Sequence, residues 1–259
     1  MYGMYPYTSP VSILKYVRDR APANSPEAVL VAIDEFSVAY PMYKIGNEKG
    51  LVLDSLVRAA SPQLVVELGS FVRYSAVRIA RLLPPGATLI CVEANPECVE
   101  AMEGVLTHAG LRDRVVIRQG LAGDVVRELA GTYGPAQLLF EDHCKKCYLP
   151  DLRLAESTGL LPAGAWTIAD NVMYPGAPDL LQHLGESGSY VGAIVPARYE
   201  YDQAWNPGWE PKADGMSVAI RVDGLSQVQR KNAQKDLAAF FASLEGKTCM
   251  PLTAGMSVA

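Results

Sequence analysis

Ala136-Gln137-Leu138-Leu139-Phe140, followed by Glu141-Asp142-His143-Cys144-Lys145, is an apolar run closed by a polar cluster. The run is too apolar to face water on one side, so it belongs in a parallel sheet covered by helices. Two other clusters close strand-like runs in the same way: Ile168-Ala169-Asp170-Asn171, and Tyr199-Glu200-Tyr201. Ligand sites in such sheets lie at the carboxyl ends of the strands. Asp142, Asp170 and Asn171 therefore meet at one edge and offer hard oxygen ligands suited to Mg²⁺.

Working outward, the spacing of apolar residues predicts helices over Ser12 to Arg20 and Pro26 to Val38, the second opened by Ser25 as a cap and Pro26 at the first helical position. A third helix is expected from about Glu48 to Ala60. Strand Leu64 to Glu67, helix Ser75 to Leu83, strand Thr88 to Glu93, helix Glu97 to Ala109, strand Val115 to Arg118, helix Asp124 to Tyr133 and strand Gln137 to Phe140 then form a βαβ series. Helix Leu149 to Leu161, strand Ala165 to Ile168 and helix Leu180 to Glu186 continue it, and Tyr190 to Tyr201 with Met216 to Val222 read as closing strands. Between these two, Trp205-Asn206-Pro207-Gly208-Trp209 breaks regular structure and reads as a lid, a docking patch, or a loop packed on the domain. Beyond Gly224 the pattern changes to an amphipathic helix over Gln227 to Leu244, with Leu237, Phe240, Phe241 and Leu244 on one face. An irregular tail to Ala259 is expected after it. Gly-Met-Ser-Val-Ala occurs at both Gly215–Ala219 and Gly255–Ala259, too short a match to signal a repeat architecture.

With 259 residues, 49% hydrophobic and 20% charged, the chain has the composition of one globular domain. A net charge of −5 without any Lys/Arg cluster argues against nucleic acid and for small molecules or proteins as partners. No apolar stretch reaches the length of a membrane span, and the start lacks a basic segment followed by an apolar one, so the expectation is a soluble intracellular protein without a secretion signal. Five cysteines, an odd number, fit a reducing compartment. Cys144-Lys145-Lys146-Cys147 is formally a CxxC, but Cys91, Cys98 and Cys249 supply no second pair for zinc, and the pair reads as two unpaired thiols beside a functional loop.

The turn Glu67-Leu68-Gly69-Ser70-Phe71-Val72-Arg73-Tyr74-Ser75 places backbone N–H groups and a helix N-terminus where an anionic ligand group can bind. One strand later, Glu93 offers a carboxylate to a ribose diol. Long strings here resemble the catechol O-methyltransferase family, class I S-adenosylmethionine-dependent enzymes, over roughly Ile13 to Asp223: Gly46-Asn47-Glu48-Lys49-Gly50, Glu67-Leu68-Gly69, Tyr74-Ser75-Ala76-Val77-Arg78, Ile79-Ala80-Arg81-Leu82-Leu83, Ala169-Asp170-Asn171-Val172, Pro175-Gly176 and Pro178-Asp179. The resemblance implies an α/β, Rossmann-like seven-stranded sheet with helices on both faces, preceded by N-terminal helices. It implies a tail over 1–10, a methyltransferase domain over 11–224 and a C-terminal helical extension over 225–259. S-adenosylmethionine would lie across the first strand turns, near Ile45, Glu67, Gly69, Tyr74, Ser75, Glu93 and His143. Mg²⁺ would be held by Asp142, Asp170 and Asn171, with Lys145 as the base and Glu200 orienting the second hydroxyl of a phenol or catechol.

The chain departs from the family on the donor side. Arg73 stands where the motif has its second glycine, Ala122 and Gly123 replace polar residues near the adenine, Cys144 replaces a tryptophan and Pro41 an aromatic gatekeeper. Two readings follow: a Mg²⁺-dependent methyltransferase with an altered pocket, or a catalytically reduced methyltransferase fold serving as a subunit of a protein assembly. In the second, the Trp205/Trp209 loop or residues 225–259 would be the attachment surface.

Overall fold

Side-chain caps open the helix after Ser25 and the later helices that begin after Asn95 and Ser226. Ser25 Oγ accepts from the Ala28 N–H at 3.3 Å and starts α2 (Pro26–Ala39), which follows α1 (Pro10–Arg20) and precedes α3 (Gly46–Ala60). The structure is a computed structural model and describes residues 9–40, 42–71, 74–200, 210 and 212–257. Most of the N-terminal tail, Pro41, Val72, Arg73, Tyr201 and the Trp205–Trp209 loop lie outside the described residues. So do Val258 and Ala259.

The alternation then runs β1 (Leu64–Leu68), α4 (Tyr74–Ala80), β2 (Thr88–Glu93), α5 (Pro96–His108), β3 (Val115–Gln119), α6 (Ala122–Tyr133), β4 (Leu138–Glu141), α7 (Tyr148–Ser157), β5 (Trp166–Ala169) and α8 (Pro178–Glu186). It closes with β6 (Tyr190–Arg198), β7 (Ala213–Arg221) and α9 (Gln227–Ala242). The seven strands form one sheet in the order β3-β2-β1-β4-β5-β7-β6, parallel except for β7, which runs antiparallel to both neighbours. Every residue of β1, β4 and β5 is buried, as expected for strands covered on both faces. One core layer gathers side chains of α1 to α5 and α9, and the other those of α6, α7 and α8. The chain leaves β1 for β2 on one side while β4 lies on the other, so the crevice of the sheet opens above the carboxyl ends of β1 and β4.

Four expectations are corrected. Helix α7 stops at Ser157 instead of Leu161 because Gly159 adopts a left-handed φ of +77° and Leu161 N–H turns back to the Ala155 carbonyl at 2.9 Å. Strand β6 ends at Arg198 instead of Tyr201, and β7 begins at Ala213, three residues ahead of Met216, with Asp214 paired to Ala197 and Gly215 to Pro196. The tail is not irregular. Met250 exchanges two 2.8 Å hydrogen bonds with Ile194 on the outer edge of β6, and Leu252–Ser257 forms a 3₁₀ turn whose Leu252 is buried in the second core. Helix α9 lies on this same domain: Leu237, Phe240 and Leu244 are buried, Phe241 is half-buried, and the Phe240 ring meets Trp166 edge to face at 5.9 Å. Among the described residues no helix is long and apolar enough to cross a membrane.

Candidate functional site

At the end of β1 the fully buried Glu67 takes hydrogen bonds from Ser70 Oγ at 2.8 Å, from Ser75 Oγ and from Cys91 Sγ at 3.1 Å. It fixes the following turn from beneath and lines neither cavity of the site. Glu93, at the end of β2, accepts the N–H groups of Ser70 (3.2 Å) and Phe71 (2.9 Å) on Oε2 and that of Asn95 (2.8 Å) on Oε1. Two carboxylates thus hold one loop, one below it and one at its rim. Gly69 completes it with φ +83°, and a Cβ there would stand 2.6 Å from the Asp142 carbonyl oxygen and 2.7 Å from His143 Cβ. Only glycine permits the two strand ends to approach so closely.

Two adjoining cavities open above this edge. The first, of about 390 Å³, is bounded by Ile45, Tyr74, Ser75, Lys145, Pro175 and Tyr199 among others. The second, of about 470 Å³, runs along Glu93, Leu121, Ala122, Gly123, Cys147 and Asp151. Gly69, Phe71, Asp142, His143 and Cys144 border both, which makes them two lobes of one cleft. His143 is held by its Nε2 at 2.8 Å from Asp151 Oδ2, and its ring packs 5.1 Å from that of Tyr148.

The deepest part of the site is an acidic cage around a buried lysine. Lys49, on α3, brings Nζ to 2.8 Å from Asp170 Oδ1 and 2.5 Å from Asp214 Oδ2, and into contact with Glu200 Oε2. Burial opposes its charge, but the three carboxylates outweigh that and hold the ammonium above the ordinary lysine range. Asn171, in the left-handed region at φ 54°, donates Nδ2 to Glu200 Oε1 (3.0 Å) and Asp214 Oδ2 (2.9 Å), leaving its carbonyl oxygen to offer elsewhere. Asp214 Oδ1 meanwhile accepts the N–H groups of Tyr174 (3.0 Å) and Met173 (3.3 Å).

Lys145 stands on the other side of the acids, 3.2 Å from Asp142 Oδ1 and donating to the Tyr148 hydroxyl. Four carboxylates, Asp142, Asp170, Glu200 and Asp214, therefore face two ammonium groups, Lys49 and Lys145. Burial, then repulsion from Asp170, pushes Glu200 up to about 8 against the pull of Lys49. Burial likewise pushes Asp142 up to about 7, opposed by Lys145. Asp170 is fully buried with neither carboxylate oxygen hydrogen-bonded, although Oδ1 keeps its ion pair with Lys49. A divalent cation fits this donor set: two charges are left over, the donors are hard oxygens, and the least satisfied carboxylate belongs to the expected ligand Asp170.

The structure brings together Asp142, Lys145, Asp170, Asn171 and Glu200, which the sequence selected, and places Ile45, Gly69, Tyr74, Ser75, Glu93 and His143 around the cleft. Lys49 and Asp214 were missed, and the grouping of Asp170, Glu200 and Asp214 is occupied by the Lys49 ammonium. Lys49 lies inside a quoted string on a helix, where a lysine ordinarily reads as solvated. Buried beside it all, Glu141 has no hydrogen bond to either oxygen and is pushed well above the carboxylate range, by burial first and then by Asp151.

Residues 27–179 match the family model described as O-methyltransferase. The chain is 40% identical over 200 residues to catechol O-methyltransferase B of Danio rerio, covering 76% of each chain. It is 41% identical over 211 residues to catechol O-methyltransferase of Mus musculus, covering 80% of this chain and 77% of that one. A solved O-methyltransferase from Bacillus cereus in complex with SAH superposes with a TM-score of 0.63 at 20% identity, over 81% of this chain and 90% of that one, a likeness of fold.

Proposed function

The chain belongs to the O-methyltransferase family and is of the catechol O-methyltransferase type, and on that premise we propose that it transfers a methyl group from S-adenosylmethionine to a hydroxyl of a catechol-like small molecule, with Mg²⁺ held by Asp142, Asp170 and Asn171. The observation that carries this reading is Asp170: a fully buried carboxylate with neither oxygen hydrogen-bonded and only Oδ1 ion-paired, to Lys49, beneath a cleft that Asp142, Asn171 and Lys145 line. Mg²⁺, when bound, supplies the positive charge that acidifies an acceptor hydroxyl.

The chain's own residues account for the rest. Lys145 Nζ is the base that takes the proton of the reacting hydroxyl as its oxygen gains the methyl group, and the donor sulfur leaves as a neutral thioether. Asp142 and Tyr148 hold that amine in the first lobe. Glu200, steadied by Lys49 and Asn171, accepts a hydrogen bond from the second hydroxyl. The lobe beside Glu93 and His143 takes the nucleoside of the donor, Glu93 standing at its rim with Oε1 and Oε2 already anchored to backbone N–H groups. The apolar walls given by Ile45, Phe71 and Pro175 shed water around the transfer, which then depends mainly on alignment. A free-standing enzyme is also favoured over an assembly subunit by α9, whose apolar face is covered by the chain's own core.

Calorimetry with Mg²⁺ and S-adenosylmethionine, combined with a methyl-transfer assay on a catechol, tests the assignment. Asp170→Ala should abolish transfer and weaken Mg²⁺ binding at least about tenfold. Lys145→Ala should abolish transfer and leave Mg²⁺ affinity within about twofold, because its amine is not a ligand. Full activity in either variant would refute the roles given to them.

A further inference from the structure

The pair Cys144 and Cys147 takes no part in methyl transfer, yet the structure brings its thiols together. Lys145–Cys147 forms one 3₁₀ turn, closed by the Cys147 N–H to the Cys144 carbonyl at 2.7 Å. A turn closed in this way keeps its end Cα atoms within about 7 Å, the separation a disulfide spans, about 4.4–6.8 Å. The turn sets the two side chains beside each other, and burial, then the neighbouring Cys144, pushes the Cys147 thiol up to about 11, which leaves Cys144 as the attacking sulfur. Cys144 is exposed, whereas Cys147 is half-buried and stands at the N-cap position of α7, its side chain making no capping bond. An accessible sulfur backed by a recessed one at a helix start is the arrangement thiol–disulfide exchange uses. Of the remaining cysteines, Cys91 and Cys98 are buried in the core.

Position makes the pair consequential. Both cysteines border the lobe assigned to the donor, Cys144 borders the other lobe as well, and the residue after Cys144 is Lys145. We propose that Cys144 and Cys147 are a reversible dithiol–disulfide site that exchanges with low-molecular-weight disulfides, and that its oxidation state and occupancy of the donor lobe are coupled. The coupling rests on the reading of that lobe as the donor site; the disulfide chemistry does not.

The chemistry balances without any further reactant. The Cys144 thiolate attacks one sulfur of the small disulfide, forming a mixed disulfide and releasing one small thiol. Cys147 then attacks Cys144 Sγ, its proton passing to solvent or to the departing thiolate, and a second small thiol leaves. Two electrons move from the protein dithiol to the small disulfide, which ends as two thiols. Closing the S–S bond brings the sulfurs to about 2.05 Å and stiffens the turn around Lys145.

The full chain is equilibrated in glutathione/glutathione disulfide buffers, acid-quenched and measured by intact mass. Trypsin then provides the assignment, because cleavage after Lys145 or Lys146 separates the two cysteines unless a disulfide joins them. The expected result is a loss of two hydrogens, reversed by dithiothreitol, with the tryptic halves held together. Cys144→Ser and Cys147→Ser should each prevent that loss, Cys147→Ser stopping at a stable mixed disulfide. Titrations repeated with saturating S-adenosylhomocysteine should show a preference of about fivefold for one redox form, seen as a shift of about 20 mV in the midpoint potential. Wild-type protein that keeps both thiols, or that accumulates only a mixed disulfide, overturns the site. Equal S-adenosylhomocysteine affinity in both forms overturns the coupling. Absence of binding to either form refutes the donor-lobe reading and the coupling with it, while the mass change still decides the disulfide.

Discussion

Lys49→Met removes the ammonium from the acidic cage while keeping a side chain of similar length, and it separates the electrostatic role of this lysine from its bulk. Lys49 has no exposed surface and contacts Asp170, Glu200 and Asp214, each of them nearly or fully buried. Removing one partner of a buried ion cluster leaves uncompensated charge, at a cost of about 3–5 kcal/mol. For a chain of this size that is a fall of roughly 6–20 °C in melting temperature. The deficit should grow with pH, because the orphaned carboxylates keep protons in the folded state that the unfolded chain releases above about pH 4. Saturating Mg²⁺ should restore part of the loss, since a divalent ion can compensate the same acids. The assay is thermal unfolding of wild type, Lys49→Met and Lys49→Arg, each with EDTA and with excess MgCl₂, at several pH values. A Lys49→Met protein that melts within about 2 °C of wild type in EDTA, or that gains no more from Mg²⁺ than wild type does, would refute the reasoning.

Mg²⁺ binding should strengthen at least about tenfold between pH 6 and pH 8, because Asp142, titrating near 7, and Glu200, near 8, must give up protons as the cation arrives; calorimetry in buffers of different ionisation enthalpy would register the released protons, and a flat pH profile would contradict the cage. Phe240→Ala should cost about 3–5 kcal/mol by emptying the contact with Trp166, while S-adenosylmethionine affinity stays within about twofold because α9 lies away from the cleft; denaturant melts and calorimetry on one preparation check both halves.

The sheet was readable because its central strands are unbroken apolar runs whose burial on both faces leaves them no alternative. Thr88–Glu93 agrees with the expectation to the residue, and the ends of β4 and β5 deliver Asp142 and Asp170 where the sequence put them. Reading failed where long-range pairing decides. The strand was expected to start only at Met216, yet pairing with Ala197 and Pro196 draws Asp214-Gly215 into β7, which carries the Asp214 carboxylate into the cage. The repeated pentapeptide makes the same point: Gly215–Ala219 is the interior of a strand, whereas Gly255–Ser257 of the second copy continues a 3₁₀ turn. Lys49 was invisible for a related reason. Helical spacing says which face a residue occupies, and only the folded arrangement says that a face meets three acids.

The bridge between Ile194 and Met250 has a consequence for how the chain is made. Strand β6 is an outer strand, and the hydrogen bonds that occupy its free side at Ile194 come from a segment synthesised well after it. Lys247 adds a bond to the Pro196 carbonyl at 2.9 Å and pairs with Glu48, so this late segment also reaches back to α3. While the ribosome is still adding α9, the flank of β6 presents unpaired N–H and C=O groups, a template for another nascent chain. Sealing of the sheet on that side has to wait until the segment beyond α9 has emerged, and nascent chains stalled before Lys247 should be the ones that stick to each other.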